Sequence, residues 1–301
     1  MFYFRKNTIG CLCCIVLVII LAGCSSLPTN TTLGPQSKGR GQFVFEQGGH
    51  HIVVRYYVPC GSLENMPVIF VMHGMLRNGA TYLEDWIPYA QKYNFLLIVP
   101  EFSENEFPHD RGYPFGNVTS QSGRPIRREQ WSYGMIEPIF DVVREQTGNR
   151  SLQYCIYGHS AGAQFVERFV CMVPQARILR AACANASCYM VSDLSRAFPY
   201  GFGGTQLGEE GMRKALGCPL VVLLGTADTN PHHKELTHTL GADAQGPNRL
   251  ERGKYFFAYG ERAATALNTS FGWKILFAPG VGHSDKGMAP YAIKCLIKSP
   301  E

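Results

Sequence analysis

The chain has 301 residues, of which 46% are hydrophobic and 17% are charged, so it can bury a large core and lacks the charge excess of a disordered protein. Its formal net charge of +5 arises from 28 basic and 23 acidic residues without a long run of either sign, which argues against a nucleic-acid partner. The length is compatible with one or two domains.

The first predicted element is a lipoprotein signal peptide over residues 1–23. Two basic residues precede twelve apolar residues at positions 11–22, a run that is short for a membrane span but typical of a secretory signal. The segment Leu21-Ala22-Gly23-Cys24 resembles a bacterial lipobox, which implies cleavage before Cys24 and acylation of its thiol. An uncleaved apolar anchor and an ordinary secretory signal are the alternatives, and both would also export the protein.

Residues 24–42 are predicted to form a flexible tether, because they are rich in Ser, Thr, Gly and Pro and almost free of large apolar side chains. We therefore expect residues 43–301 to be the folded domain of an exported bacterial lipoprotein that the lipid on Cys24 anchors to the membrane of the cell envelope. Ser25, directly after the lipidated position, favours the outer membrane and a domain facing the periplasm.

The chain has eleven cysteines, of which seven follow Cys24. Seven thiols cannot all pair, and their spacing shows no Cys-x-x-Cys zinc motif. Cys155 and Cys171 lie in apolar stretches, which favours buried free thiols. A local disulfide between Cys183 and Cys188 remains open.

The pattern after the tether predicts a single α/β domain. Residues 42–46 and 51–58, separated by Gly48-Gly49, predict an antiparallel hairpin. Continuous apolar runs then predict buried strands of a mostly parallel sheet at residues 67–72, 95–99, 152–157, 180–184, 219–224 and 273–277. Helices covering both faces of the sheet are predicted at residues 80–92, 129–145, 161–172, 252–267 and 285–297.

Two connections, residues 101–128 and 189–217, are longer than the usual loops of α/β units. Both contain Gly, Pro and aromatic residues. They are predicted to be functional loops or a small cap that shapes the pocket.

The segment Gly158-His159-Ser160-Ala161-Gly162 is the strongest local motif. It follows an apolar run and opens a helical one, which is the strand-turn-helix context of a G-x-S-x-G nucleophile elbow. The sharp turn brings strand and helix so close that side chains two positions either side of the serine would collide. Ser160 is therefore the predicted nucleophile, the alternative being a serine that caps a helix.

A serine hydroxyl needs a base, and in this architecture the base follows an acid along the chain. Asp228 directly follows the apolar run 219–224, and His283 follows the last predicted strand. Both positions lie where ligands converge on parallel sheets, so Asp228 is predicted to orient His283, which takes the proton from Ser160. Asp243 and Glu235 are the alternative acids.

The other histidines are weaker candidates for the base. His159 is beside the nucleophile in sequence but points elsewhere at a sharp turn, so it is interpreted as a packed neighbour. His232, His233 and His238 are grouped like metal ligands, yet Pro231 at a helix start explains them as solvent-facing residues. No metal site is therefore predicted.

The segment His73-Gly74-Met75 follows the apolar run that ends at residue 72. It therefore matches the turn after a strand that normally donates one backbone N–H to the oxyanion hole. The predicted donors are the backbone amides of Met75 and Ala161, and His73 is interpreted as a buried side chain that stabilises the turn. There is no G-x-G-x-x-G fingerprint and no phosphate loop, so no nucleotide cofactor is predicted.

These elements together resemble an α/β-hydrolase over about residues 53–296. Within that superfamily the chain is similar to exported bacterial polyhydroxybutyrate-depolymerase-like and feruloyl-esterase-like esterases, with a looser match around Trp131, Phe198-Pro199-Tyr200 and Gln245-Gly246. The resemblance implies a serine esterase that acts on a small-molecule ester through an acyl-enzyme and needs no cofactor. A serine peptidase or amidase of the same fold and a non-catalytic binding lipoprotein are the alternatives. The sequence carries no signal of an oligomeric state.

Overall fold

A computed structural model of the protein describes residues 33–297. The predicted signal peptide, Cys24 and the tether up to residue 32 lie outside the described residues. Leu33 is buried in the core, and the first strand begins at Gly39, within the range predicted as tether. Among the helices of residues 33–297, none is both long and apolar enough to cross a bilayer.

Residues 33–297 contain one eight-stranded sheet, in the order β1-β2-β4-β3-β5-β6-β7-β8. The strands are β1 (Gly39–Gln47), β2 (His50–Val58), β3 (Val68–Met72), β4 (Leu96–Glu101), β5 (Tyr154–His159), β6 (Ile178–Ala184), β7 (Leu220–Gly225) and β8 (Lys274–Ala278). β2 is antiparallel to β1 and to β4, and all other pairs are parallel. The predicted hairpin and mostly parallel sheet are confirmed.

The β1–β2 turn is made by Gly48 and Gly49, both with positive φ. A two-residue hairpin turn whose strands keep their right-handed twist needs positive φ at both positions, and glycine adopts it without steric cost. Because this requirement is local, the glycine pair was sufficient to predict the hairpin turn from the sequence.

Helices cover both faces of the sheet, as predicted. They are α1 (Gly79–Tyr93), α2 (His109–Gly112), α3 (Ile136–Thr147), α4 (Ala161–Met172), α5 (Gly208–Gly217), α6 (Leu240–Asp243), α7 (Arg249–Ala266) and α8 (Asp285–Ile297). α1 and α8 pack on one face around Trp86 and Met288. α3, α4, α5 and α7 pack on the other face. All residues of β3, β5 and β7 are buried, which explains their continuous apolar sequences.

Two helix predictions and one loop prediction needed correction. The helix predicted at 129–145 begins only at Ile136, after two short 3₁₀ turns; Pro138 lacks an N–H and fits best in the first turn of a helix. α7 begins at Arg249, three residues before the predicted start, because the Asn248 side chain accepts a hydrogen bond from the Glu251 amide and caps the helix. The connection 189–217, predicted as loop or cap, ends in α5.

Candidate active site

Ser160 lies at the turn between β5 and α4 with φ of 56°, a left-handed conformation that costs a non-glycine residue about 1–3 kcal/mol. Its backbone N–H donates to the carbonyl of Ala184 on β6, over 3.0 Å. A Cβ at Gly158 would lie 2.0 Å from the carbonyl oxygen of Gly162, and one at Gly162 would lie 2.2 Å from that of Met72. Both glycines are therefore required for the close packing of α4 on the sheet, as the motif predicts.

The structure brings together the three residues predicted as a triad. His283 Nε2 is 3.0 Å from Ser160 Oγ, and His283 Nδ1 is 2.8 Å from Asp228 Oδ2. Ser160 follows β5, Asp228 follows β7 and His283 follows β8. Because these strands are parallel, all three residues meet at the carboxyl edge of the sheet. Asp243, one alternative acid, pairs with Arg252 and His238. Among the described carboxylates, the one hydrogen-bonded to His283 is that of Asp228.

A buried arginine lies behind the Asp228 carboxylate. Arg249 Nη1 is 3.6 Å from Asp228 Oδ1, and both side chains are almost completely buried. Burial lowers the pKa of the Arg249 guanidinium, whereas the Asp228 charge acts in the opposite direction. Sequence reasoning missed Arg249 because an arginine at the first position of a helix is ordinarily solvated, and only the packing of α7 against β7 places it here.

Two further histidine rings flank the imidazole of His283. The ring centroid of His159 is 4.6 Å away and that of His233 is 5.1 Å away. Burial, followed by the charge of His283, lowers the pKa of His159 well below its usual value. Burial and the Arg249 charge also lower the pKa of His233. Both rings therefore favour the neutral form, in which they pack on the imidazole of His283 without placing a further positive charge beside it.

Asn185 ties the loop that carries His283 to the sheet. Its side-chain amide donates to the Gly282 carbonyl over 3.2 Å and accepts from the Gly225 N–H over 2.8 Å. A Cβ at Gly225 would lie 2.4 Å from the Val281 carbonyl oxygen, so glycine allows the loop to approach β7. Asn185 was also missed, since an asparagine after a strand has no distinctive sequence signal; its φ of 54° is tolerated by asparagine.

The side chain of His73 stabilises the turn that is predicted to donate a backbone N–H to the oxyanion. His73 Nε2 accepts a hydrogen bond from the Phe102 amide over 3.0 Å, and Nδ1 therefore carries the proton and donates to the Gly74 carbonyl over 2.9 Å. Burial lowers the pKa of His73 to about 3. The half-buried Met75 follows this turn, and Ala161 is the first residue of α4, where backbone N–H groups lack partners within the helix.

A pocket of about 220 Å³ opens beside Ser160 and His283. Its walls come from the turn after β3, the first half of α1, Glu235 and the start of α8. No residue of 101–128 or 189–217 lines it, so the prediction that these connections shape the pocket is wrong for this cavity. Both connections instead contact Arg168 of α4, which lies over the Phe115 ring and donates to the Pro199 carbonyl.

The remaining polar predictions concern thiols and histidines. Cys155 and Cys171 are buried free thiols as predicted, and Cys183 and Cys188 are likewise buried and unpaired within the described residues. His233 contacts His283, and His238 pairs with Asp243. Over residues 33–297, no group of three or more His, Cys, Asp or Glu side chains is arranged to hold a metal ion.

No protein-family model matches the chain, and a search of curated protein sequences finds no match. Solved structures do match. Poly(aspartic acid) hydrolase-1 from Sphingomonas sp. KT-1 is 43% identical, with a TM-score of 0.85, over 87% of this chain and 99% of that one. LpqC, a poly(3-hydroxybutyrate) depolymerase from Bordetella parapertussis, is 29% identical, with a TM-score of 0.83, over 88% of this chain and 92% of that one.

A more distant structure shares the fold. The S-formylglutathione hydrolase from Agrobacterium tumefaciens is 16% identical, with a TM-score of 0.58, over 89% of this chain and 95% of that one. The resemblance predicted from the nucleophile elbow and the order of the triad is confirmed by these comparisons. The chain belongs to the family of α/β-hydrolases that includes poly(aspartic acid) hydrolase-1, and it is an enzyme of the hydrolase type.

Proposed function

We propose that the protein is a serine esterase that hydrolyses carboxylic esters through an acyl-enzyme intermediate. The observation that carries the proposal is the continuous chain of contacts from Ser160 Oγ through His283 to Asp228, with distances of 3.0 and 2.8 Å. A neutral imidazole at hydrogen-bond distance from a serine hydroxyl can act as a general base.

In the acylation step, Ser160 Oγ attacks the ester carbonyl carbon while His283 Nε2 takes the hydroxyl proton. The carbonyl electron pair moves to oxygen, which accepts hydrogen bonds from the amides of Met75 and Ala161. When the tetrahedral intermediate collapses, the bond to the alcohol oxygen breaks and His283 returns its proton to the leaving alcohol. Water then repeats the sequence on the acyl-enzyme, releasing the acid and restoring Ser160.

Asp228 and Arg249 set the electrostatics of this cycle. The Asp228 carboxylate accepts from Nδ1–H, which leaves Nε2 free to accept the serine proton, and it stabilises the imidazolium that forms. The Arg249 guanidinium lies beside the other oxygen of this carboxylate, Oδ1, and its positive charge compensates the negative charge of Asp228. A buried carboxylate with two polar partners remains oriented while the charge on His283 changes.

A second candidate is amide hydrolysis by the same residues. The 43% identical relative is named for poly(aspartic acid), a polymer whose units are joined by amide bonds. LpqC is named for a polyester. The leaving group of an amide is an amine, which departs less readily than an alcohol and must be protonated to leave. Amide hydrolysis therefore depends more strongly on His283 as a general acid.

Matched substrates distinguish the two candidates. We expect p-nitrophenyl butyrate to be cleaved with a burst of p-nitrophenol from acylation, and the corresponding p-nitroanilide to be cleaved far more slowly. The panel should include a hydroxybutyrate ester and poly(aspartic acid). Hydrolysis of the amide substrates without the esters would contradict the esterase proposal, and failure of a fluorophosphonate to label Ser160 would contradict serine catalysis itself.

We also propose that the enzyme is an exported lipoprotein, anchored through Cys24 at the outer membrane with its catalytic domain facing the periplasm. Support comes from the lipobox-like Leu21-Ala22-Gly23-Cys24 and from the polar segment that precedes β1. Diacylation together with acylation of the new amine gives several chains, which is sufficient for stable anchoring.

Changing Cys24→Ser is expected to abolish lipid modification and to move the protein out of the membrane fraction, while the ester hydrolysis by the folded domain persists. Mass spectrometry of the N-terminal peptide and fractionation of cells measure both effects. The matched control is Ser26→Ala, a substitution in the same segment that spares Cys24 and should leave anchoring intact. An unmodified, unprocessed N-terminus in the wild type would contradict the proposal.

A further inference from the structure

The pocket beside Ser160 is enriched in carboxyl groups. Asp85 on α1, Glu235 and Asp285 at the start of α8 line it, and Lys286 is the one Lys or Arg residue in its lining. Asp85 and Glu235 are half-buried, and neither carboxylate forms an ion pair or hydrogen bond with another side chain of residues 33–297. Lys286 is exposed to solvent. The lining therefore holds more acidic than basic side chains, and the described cation that acts on Glu235 is the buried Arg249 behind the triad.

Two buried polar atoms in the same lining lack a hydrogen bond of ordinary geometry. Asp285 is 8% exposed; its Oδ1 accepts from the Tyr157 hydroxyl over 2.8 Å, whereas Oδ2 makes no hydrogen bond of ordinary geometry within the described residues, although the Trp86 indole N–H also acts on this carboxyl. His159 is 4% exposed; Nδ1 contacts the Tyr82 hydroxyl, but Nε2 has no partner there. Burial raises the pKa of Asp285 to about 7, while the lowered pKa of His159 means that its ring adds no positive charge. Unsatisfied buried polar atoms beside a cavity point to a ligand that supplies the missing hydrogen bonds.

The position of the pocket indicates which part of a substrate enters it. His283 must return its proton to the leaving alcohol oxygen, so the alcohol portion departs on the side of the imidazole. The pocket is lined by His283 and by the three residues that follow it, 284–286. The alcohol portion of the ester is therefore the part placed next to these carboxyl groups.

We propose that this pocket selects esters whose alcohol portion carries an ammonium group, through Asp85, Glu235 and the buried carboxyl of Asp285. The inference rests on the proposed esterase function and specifies its substrate class. An ammonium brings a positive charge toward these carboxyl groups and N–H donors for their oxygens. A carboxylate at the same place would face the charges of Asp85 and Glu235.

The test uses three butyrate esters that share the same para-substituted phenol scaffold, formed with 4-(2-aminoethyl)phenol, 4-propylphenol and 3-(4-hydroxyphenyl)propanoic acid. They present a cation, a neutral group and an anion at the same distance from the scissile bond. At low ionic strength we expect kcat/KM to be about tenfold higher for the cationic ester than for the neutral one, and lowest for the anionic ester. Adding salt should reduce the cation preference through screening.

Substitutions of the pocket carboxylates test whether they cause the preference for the cationic ester. Asp85→Asn and Glu235→Gln are each expected to lower the ratio of kcat/KM for the cationic to the neutral ester, and the double variant to bring it near one. The matched control is Glu84→Gln, because Glu84 is the neighbouring residue on α1 but pairs with Arg40 over 2.9 Å and does not line the pocket. This control changes the net charge equally and should keep the wild-type ratio.

The outcomes separate this inference from the proposed function. Equal rates for the cationic and neutral esters, a preference for the anion, or an unchanged ratio in the double variant would overturn the ammonium specificity while Ser160-dependent esterase activity stands. Failure of the wild type to cleave the neutral ester, or cleavage that persists undiminished in Ser160→Ala, would instead contradict the esterase proposal.

Discussion

Replacing Ser160 or His283 with alanine is expected to lower ester turnover by about 10⁶-fold each, and the double replacement to cost little more, as in triads dissected in other hydrolases. The residues act as one unit: without His283 the serine hydroxyl keeps its proton, and without Ser160 the imidazole has no nucleophile to activate. The 3.0 Å contact between His283 Nε2 and Ser160 Oγ is the geometry on which this expectation rests. Steady-state rates on p-nitrophenyl butyrate measure it.

The alanine variants should retain the wild-type fold. The Ser160 side chain is small, and the imidazole of His283 packs on His159 and His233 at the edge of the pocket, so neither deletion should empty the hydrophobic core. Circular dichroism melting curves are the control. Turnover within a few-fold of wild type in Ser160→Ala would refute the assignment of the nucleophile, and additive losses in the double variant would refute the coupling.

Asp228→Asn is expected to lower turnover by about 10⁴-fold, the loss seen when a triad aspartate of this kind is replaced. An asparagine amide can donate to Nδ1 and so favour the tautomer with the proton on Nε2, which cannot accept the proton of Ser160. The change also removes the counter-charge of the buried Arg249. A moderate loss of stability should therefore accompany the loss of rate, and a melting curve measured beside the kinetics separates the two.

Asp243→Asn is the matched control for this variant. Asp243 was the alternative acid, but its carboxylate pairs with Arg252 and His238, so its replacement should leave turnover near that of wild type. If Asp228→Asn kept activity within a few-fold of wild type while Asp243→Asn lost it, the identity of the acid would have to be revised.

The features that the sequence alone could predict are those set by local chemistry. A strand buried on both faces needs a continuous apolar run, which located the strands of the parallel sheet. The Gly48-Gly49 turn requires positive φ at both positions, and Gly158 and Gly162 flank Ser160 because any Cβ would meet backbone atoms. These requirements act within a few residues, so they are written directly in the sequence, and the order of Ser160, Asp228 and His283 follows from the strands that precede them.

Tertiary structure decided what depends on contacts between distant segments. Arg249 reaches Asp228, and Asn185 reaches Gly282, only because helix α7 and the end of β6 pack where they do. The start of α3 and the wall of the pocket were mispredicted for the same reason, since helical periodicity does not report where a segment meets its neighbours. The side chains beside the predicted nucleophile, and the charges that face an incoming substrate, are set by packing between elements far apart in the chain rather than by any local motif.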